Sequence, residues 1–297
     1  MSDGRFAPSP TGPLHLGNLR TALVAWLFAR SAGGRFLVRV EDLDPGRSRR
    51  EWEEHQLADL RALGLGWDDE VVRQSERLDR YAEAIAYLEG LGVLYPCYCT
   101  RAEIRAAPGA PHGALPEGAY PGTCRYLTPE ERAEREGAGR QPALRLDARA
   151  AMVEFTDRLL GPQRGVVDDL VVRRNDGAPA YHLAVVVDDA AQGIDEVVRG
   201  GDLLESTPRQ LHLARLLGLP APRHAHVPLV LGPDGRRLAK RHGAVTLADR
   251  LEGVERVVGW MAETLGMAGA GEALRPADLL ARFDPDALPR EPTVFGG

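Results

Sequence analysis

Charge of one sign, cysteine and long apolar runs are all scarce in this chain, and each scarcity excludes a class of protein. Its 297 residues carry 37 basic and 43 acidic side chains, a formal net charge of −6. That balance argues against a protein that coats nucleic acid by charge alone, although a local basic patch could still meet RNA. The three cysteines are an odd number, which argues against a disulfide scaffold. No run approaches the roughly 18 apolar residues of a membrane span. Met1-Ser2-Asp3-Gly4 runs straight into an apolar segment with no signal-like region. The expectation is a cytoplasmic protein with no membrane partner. A 44% hydrophobic and 27% charged composition suits a sizeable core, in one large domain or two modest ones.

The most informative segment lies at residues 5–18, Arg-Phe-Ala-Pro-Ser-Pro-Thr-Gly-Pro-Leu-His-Leu-Gly-Asn. Phe6 and Ala7 suit a buried strand end, the prolines and glycine force a turn, and a helical apolar pattern begins near Leu14. A strand feeding a helix N-terminus presents free N–H groups to an anion. His15 and Asn18 fall in the first turn, where their side chains can meet the same anion. The segment lacks the lysine of a phosphate-binding Walker loop and the glycine spacing of a dinucleotide fingerprint.

Strand, helix and strand continue through Gly33-Gly34 and Phe36-Leu-Val-Arg-Val40, a βαβ unit. Ser48-Arg-Arg-Glu51 reads as a capping box opening a helix to about Leu63, and Ser75 as the start of another ending near Gly92. From Tyr95 to about Gly139 prolines, glycines and all three cysteines cluster, with helix starts at Thr100 and Thr128. Residues 142–147, 152–156 and 166–173 have strand-like patterning. Tyr181 to Val187 fits a buried strand or a helix. Ser206-Thr207-Pro208 predicts a capped helix to Leu217, and His226 to Leu231 a strand before a Pro233-Asp-Gly235 turn. Beyond His242 the pattern is helical.

Two further groups carry chemistry. Arg237-Leu-Ala-Lys-Arg241 is a basic loop after a strand, able to hold a triphosphate through Lys240. Cys97, Cys99 and Cys124 sit in a Pro/Gly-rich stretch that needs a staple, which suggests zinc. His112 would complete a Cys3His set. His182, His224 and His226 show no partner pattern and read as packing or solvent-facing residues. Arg47-Ser-Arg-Arg50 and Arg236-Arg237 read as solvated faces that could meet phosphates.

The first segment resembles the His-Ile-Gly-His signature of class I aminoacyl-tRNA synthetases, and its Ala-Pro-Ser-Pro-Thr-Gly stretch looks like the glutamate and glutamine branch. The basic loop is similar to that family's Lys-Met-Ser-Lys-Ser loop, with Ala239 where serine is usual and Arg241 at the end. The resemblance implies an α/β fold: a Rossmann-like catalytic domain with a parallel sheet, a zinc-binding insertion and a short helical C-terminal region. The halves of the catalytic domain would span residues 1–94 and 141–243, the insertion 95–140 and the C-terminal region 244–297.

The same resemblance implies ATP, Mg²⁺ and Zn²⁺ as cofactors and His15 and Lys240 as catalytic residues. It places ATP on His15, Gly17, Asn18 and Lys240, and L-glutamate on Arg5, Ser9, Glu41, Tyr181 and Arg199. A dicarboxylate with one ammonium group needs an arginine fork and an acidic partner, which this set supplies. The cysteine and tyrosine spacing resembles the shortened branch that glutamylates the queuosine base of tRNA(Asp), which implies Tyr120 as fourth zinc ligand beside Cys97, Cys99 and Cys124, with His112 as the alternative. Fifty-five residues beyond His242 are also too few for an anticodon-binding region. The expectation is therefore a monomer that activates glutamate and transfers it to queuosine-bearing tRNA(Asp). Alternatives are a shortened enzyme charging the tRNA 3′ end, a ligase joining an amino acid to a small thiol or amine, and an inactive glutamate- and ATP-binding module.

Overall fold

The computed structural model describes residues 1–106, 119–243 and 245–296. The first half holds β1 (Gly4–Phe6), α1 (Leu16–Ser31), β2 (Phe36–Val40), α2 (Arg50–Ala62), β3 (Val72–Arg73) and α3 (Leu78–Gly90). A middle stretch follows with β4 (Leu94–Cys97), α4 (Arg101–Ala106), α5 (Pro129–Gly137), β5 (Ala143–Leu146), β6 (Met152–Asp157), β7 (Gly161–Val166) and β8 (Val171–Arg173). Then come α6 (Tyr181–Ala191), β9 (Glu196–Gly200), α7 (Thr207–Leu216), β10 (Arg223–Val227) and β11 (Val230–Leu231). The chain closes with α8 (Val254–Thr264), α9 (Pro276–Leu279) and β12 (Thr293–Val294).

One seven-stranded sheet runs in the order β3-β2-β1-β9-β10-β6-β7. All its pairings are parallel except that of edge strand β7 with β6. β2 is apolar on both faces except for Arg39, as a strand covered on both sides should be. Strand order reverses between β1 and β9, so the crevice at their carboxyl ends is where an open α/β sheet binds ligands. α1 is buried nearly all round and packs beneath that crevice, its leucines sharing one core with β1, β2 and the helices after His242. A second sheet, β4-β5-β8, is antiparallel and flanks the cysteine stretch. No described helix is long and apolar enough to cross a membrane.

Several local expectations shift. The Ser48 capping box does not form: a turn in which the Ser48 N–H meets Asp44 O delays α2 until Arg50, and the buried Ser48 hydroxyl has no partner among the described residues. Ser75 hydrogen-bonds Asp42 through both its N–H and its hydroxyl, so α3 starts only at Leu78. Ser206 does not cap α7 because it already has helical backbone at the end of a 3-10 turn. The boxes at Thr100 and Thr128 do close. Residues 166–173 are not one strand; β7 ends at Val166 and β8 begins at Val171. His226 to Leu231 is likewise split, because Pro228 has no N–H to give a ladder, and β11 pairs instead with β12. The C-terminal region therefore contributes a strand as well as helices. Tyr181 to Val187 is helical.

Candidate active site

A cavity of about 590 Å³ opens at the carboxyl ends of β1 and β9. Arg5, Ser9, His15, Gly17, Asn18, Glu41, Tyr181 and Arg199 all line it, together with Arg237 and Ala239 of the basic loop. The parallel sheet explains the convergence. Arg5 and Arg199 lie on the adjacent strands β1 and β9, and Glu41 directly follows the neighbouring β2.

At the floor, His15 caps α1. The Asn18 N–H donates to His15 Nδ1 at 3.2 Å and Asn18 Oδ1 accepts from the His15 N–H at 3.3 Å, a reciprocal box. A lone pair at Nδ1 leaves the proton of the neutral ring on Nε2. Burial, with help from the Arg237 charge, pulls His15 down to about 4, so it is a neutral donor near pH 7. A side chain at Gly17 would press on this ring, since its Cβ would lie 3.1 Å from Nδ1. The helix end is less open than its sequence suggests. Leu16 N–H is spent on Val245 O at 2.7 Å and Asn18 N–H on His15, leaving the Gly17 amide for an anion.

The basic loop closes one side. Leu238 N–H meets Val230 O at 2.9 Å, which folds the segment into a hairpin around Gly232 to Arg236. His242 holds the base of this hairpin: its Nδ1 accepts the Ala239 N–H at 3.0 Å, and its ring lies so near Gly232 that a Cβ there would stand 2.5 Å away. Arg237 bonds Asp202 at 2.6 Å. The backbone of Lys240 opens the 3-10 turn Lys240–His242, while its side chain lies outside what the structure describes. His15 forms a bridge with Thr246, just past this loop, so the two ends of the predicted phosphate site are joined by main chain.

Two buried charge clusters form the other walls. Asp189 accepts from Arg5 Nε at 3.2 Å and Nη2 at 3.4 Å, and from Arg39 Nη1 at 2.7 Å. Arg39 Nη2 in turn reaches Glu41 at 3.3 Å. Burial alone would raise Asp189, but Arg39 and Arg5 hold it at about 2. Glu41 is raised, because its burial outweighs the same two arginines.

Arg199 differs. It donates to His226 Nε2 at 3.0 Å, Gln210 Oε1 at 2.7 Å, Leu203 O at 3.2 Å and Thr207 Oγ1 at 2.7 Å. All four partners are neutral groups, and among the described residues no carboxylate lies within ion-pair distance. Burial accordingly lowers it. His226 is thus no mere packing residue; its Nδ1 lies 2.6 Å from Asp157 Oδ2. His224 is buried and stacked on it. His182 is half-buried, its Nδ1 without a partner among the described residues. Asp157, Asp189, Arg39 and His242 were not singled out from sequence, and His226 was read only as a packing or solvent-facing residue. An acidic pair ending the Val185-Val-Val run, and an arginine inside β2, were the available signals.

The sulfur atoms of Cys97, Cys99 and Cys124 lie within 4.8 Å of one another. Tyr120 Oη is 3.6 Å from Cys99 Sγ and accepts the Cys124 N–H at 2.8 Å. Arg145 donates to Cys97 at 3.2 Å and lies over the Tyr120 ring at 3.8 Å. Hydrogen bonding from Cys97 draws Cys124 down to about 6, while Cys97 is pushed up to about 12. His112 lies outside the described residues. Elsewhere, Arg47 and Arg50 pair with Asp44 and Glu54 at the surface.

The chain belongs to the class I tRNA synthetases (E and Q), catalytic domain, a family whose model matches residues 3–267. Within it, the chain is similar to the glutamyl-Q tRNA(Asp) synthetase of Nocardia farcinica, with 60% identity over 98% of this chain and 92% of that one. It is 55% identical to the protein of that name from Symbiobacterium thermophilum, over 98% and 95% of the two chains. Among solved structures it is similar to a glutamate tRNA ligase from Elizabethkingia meningosepticum in complex with its amino acid, with TM-score 0.83 and 29% identity, covering 99% of this chain and 67% of that one.

Proposed function

We propose that this chain activates L-glutamate with ATP and transfers the glutamyl group to the queuosine base of tRNA(Asp). The observation that carries the glutamate assignment is Arg199, a buried cation at the cavity wall with no anionic partner among the described residues. An ion left in that state is costly unless a ligand supplies the counter-charge, and a substrate carboxylate does so. Arg5 offers a second guanidinium and Glu41 an acceptor for the ammonium group. The choice of acceptor rests on the full-length similarity to the glutamyl-Q tRNA(Asp) synthetases.

In this reading the α-carboxylate of glutamate attacks the α-phosphorus of ATP, the bond from that phosphorus to the β-phosphate oxygen breaks, and pyrophosphate leaves as glutamyl-adenylate forms. His15 donates Nε2–H, and Gly17 its amide, to phosphate oxygens, while Lys240 meets the departing pyrophosphate. Catalysis is positioning plus electrostatic stabilisation. A hydroxyl of the queuosine cyclopentenediol then takes the acyl group, and AMP leaves. Mg²⁺ would neutralise phosphate charge and be carried by ATP itself, since Glu41 and Asp202, the carboxylates lining the cavity, are already paired with Arg39 and Arg237. Zn²⁺ fits the sulfur cluster with Tyr120 as fourth donor, and would staple residues 95–140 as an insertion between catalytic halves at 1–94 and 141–243, ahead of a C-terminal region at 244–297. The chain would act as a monomer in the cytoplasm.

Labelled glutamate offered to tRNA(Asp) with and without queuosine, and to tRNA(Glu), tests the acceptor. Labelling confined to queuosine-bearing tRNA(Asp) is expected; acceptance by tRNA(Glu) overturns it. Lys240→Ala should slow glutamate-dependent pyrophosphate exchange by about two orders of magnitude or more, as loss of a charged transition-state contact does. Near-normal exchange would remove Lys240 from the site.

A further inference from the structure

Arg199 owes its orientation to residues that no substrate reaches. β10 and β9 are in register with His226 opposite Arg199, and β6 ends beside them at Asp157. Asp157 is held in turn: its Oδ1 accepts the N–H groups of Leu159 and Leu160, each at 3.0 Å, and the His226 N–H at 3.3 Å. Its Oδ2 faces His226 Nδ1 at 2.6 Å, and a carboxylate there can only accept. The imidazole proton therefore sits on Nδ1, and Nε2 presents a lone pair. That lone pair lies 3.0 Å from Arg199 Nε and 3.2 Å from the Thr207 hydroxyl. Asp157 and His226 are each no more than 1% exposed, and neither lines the cavity.

We infer that Asp157 and His226 form a positioning dyad for substrate selection, in which Asp157 sets the His226 tautomer and His226 aims Arg199 at the glutamate side-chain carboxylate. This rests on the reading of Arg199 as a carboxylate ligand. A guanidinium has five N–H groups, and His226, Gln210, Leu203 and Thr207 occupy four, leaving one Nη1–H for the ligand. With the opposite tautomer, an Nε2–H would face Arg199 Nε–H, two donors in contact. The ring would then repel the guanidinium it should hold. Burial and the Arg199 charge keep His226 lowered and thus neutral, which agrees with this geometry.

The test uses glutamate-dependent pyrophosphate exchange on the full chain, with KM for glutamate and for ATP measured separately. Nitrogen NMR of the His226 ring gives the second readout. Wild-type protein should show Nδ1 protonated and Nε2 bare. Asp157→Asn, which offers a donor as well as an acceptor, should lose that tautomer bias. It should raise KM for glutamate about ten- to hundredfold, the cost of a lost hydrogen bond to a charged group, with KM for ATP unchanged. His226→Leu should do the same, and His226→Gln, which returns an acceptor at the Arg199 side, should recover most of the loss. Thermal unfolding shows which variants fold, and the Gln variant carries the test where Leu does not. An unchanged glutamate KM in folded Asp157→Asn or His226→Leu overturns the inference, as does an equal rise in both KM values. A wild-type chain with no glutamate-dependent exchange would instead overturn the proposed function itself.

Discussion

Arg5 and Arg199 stand on neighbouring strands of one cavity, each 5% exposed, and their surroundings differ in kind. Arg5 faces Asp189 with two nitrogen atoms, inside a cluster that also locks Arg39 and Glu41. Arg199 is held by a histidine, an amide, a hydroxyl and a carbonyl. The first arrangement is complete without ligand, because every cation has its anion. The second fixes direction without cancelling charge. In the proposed function, one wall of the cavity is a scaffold that also touches substrate, and the other is a receptor for an anion. Equal burial and equal residue type therefore do not mean equal function.

The comparison can be broken most severely at Asp189. Asp189→Asn leaves the buried Arg5 without its carboxylate and takes from Arg39 the nearer of its anions, Glu41 remaining, and should cost about 3–5 kcal/mol in urea unfolding. The pH dependence has a definite sign. Asp189 is at about 2 when folded against an ordinary 3.8, so its contribution is present above about 3.8 and is lost as pH falls through 2. The stability gap between wild type and Asp189→Asn should close over that acid window; a gap that persists to pH 2 would mean the carboxylate is not what holds the cluster. Arg199→Leu should do the reverse. Glutamate kcat/KM in exchange should fall about thirty- to several-hundredfold as the receptor loses its charge, while the unfolding midpoint moves less than for Asp189→Asn. Equal stability losses in both variants would erase the distinction between scaffold and receptor.

The smallest effect is expected at the floor of the cavity. His15 acts neutral and is lowered to about 4, so kcat/KM for exchange should show no His15 limb near 6.5 and should decline only as pH falls toward 4. An inflection near 6.5 that vanishes in His15→Asn would show the ring titrating as a solvent-exposed histidine.

Much of this site was legible in the chain, for local reasons. A turn rich in proline between a strand and a helix, with His15 and Asn18 at the cap, is encoded within a few residues, and the cap forms as spaced. The cysteines of the middle stretch likewise meet as their clustering suggests. Signals that depend on one hydroxyl were less secure. Ser48, Ser75 and Ser206 each had a plausible cap position, and each was overruled by a tertiary or turn partner. The strand expected from His226 to Leu231 failed for a similar reason, since β12, more than sixty residues on, was available to pair with its second half.

The sequence by itself determined the strand, turn and capped helix at the floor of the cavity, the family resemblance and the residue types proposed to meet the amino acid. These are short-range patterns, written in turns, caps and spacing. Which of two identical guanidinium groups carries a free charge was decided only by the tertiary structure. Asp189 comes to Arg5 from 184 positions away on helix α6, and Asp157 to His226 from 69 through the parallel pairing of β6 with β10. Charge compensation is a property of what lies within a few ångströms, and in this fold those neighbours come from distant strands and helices.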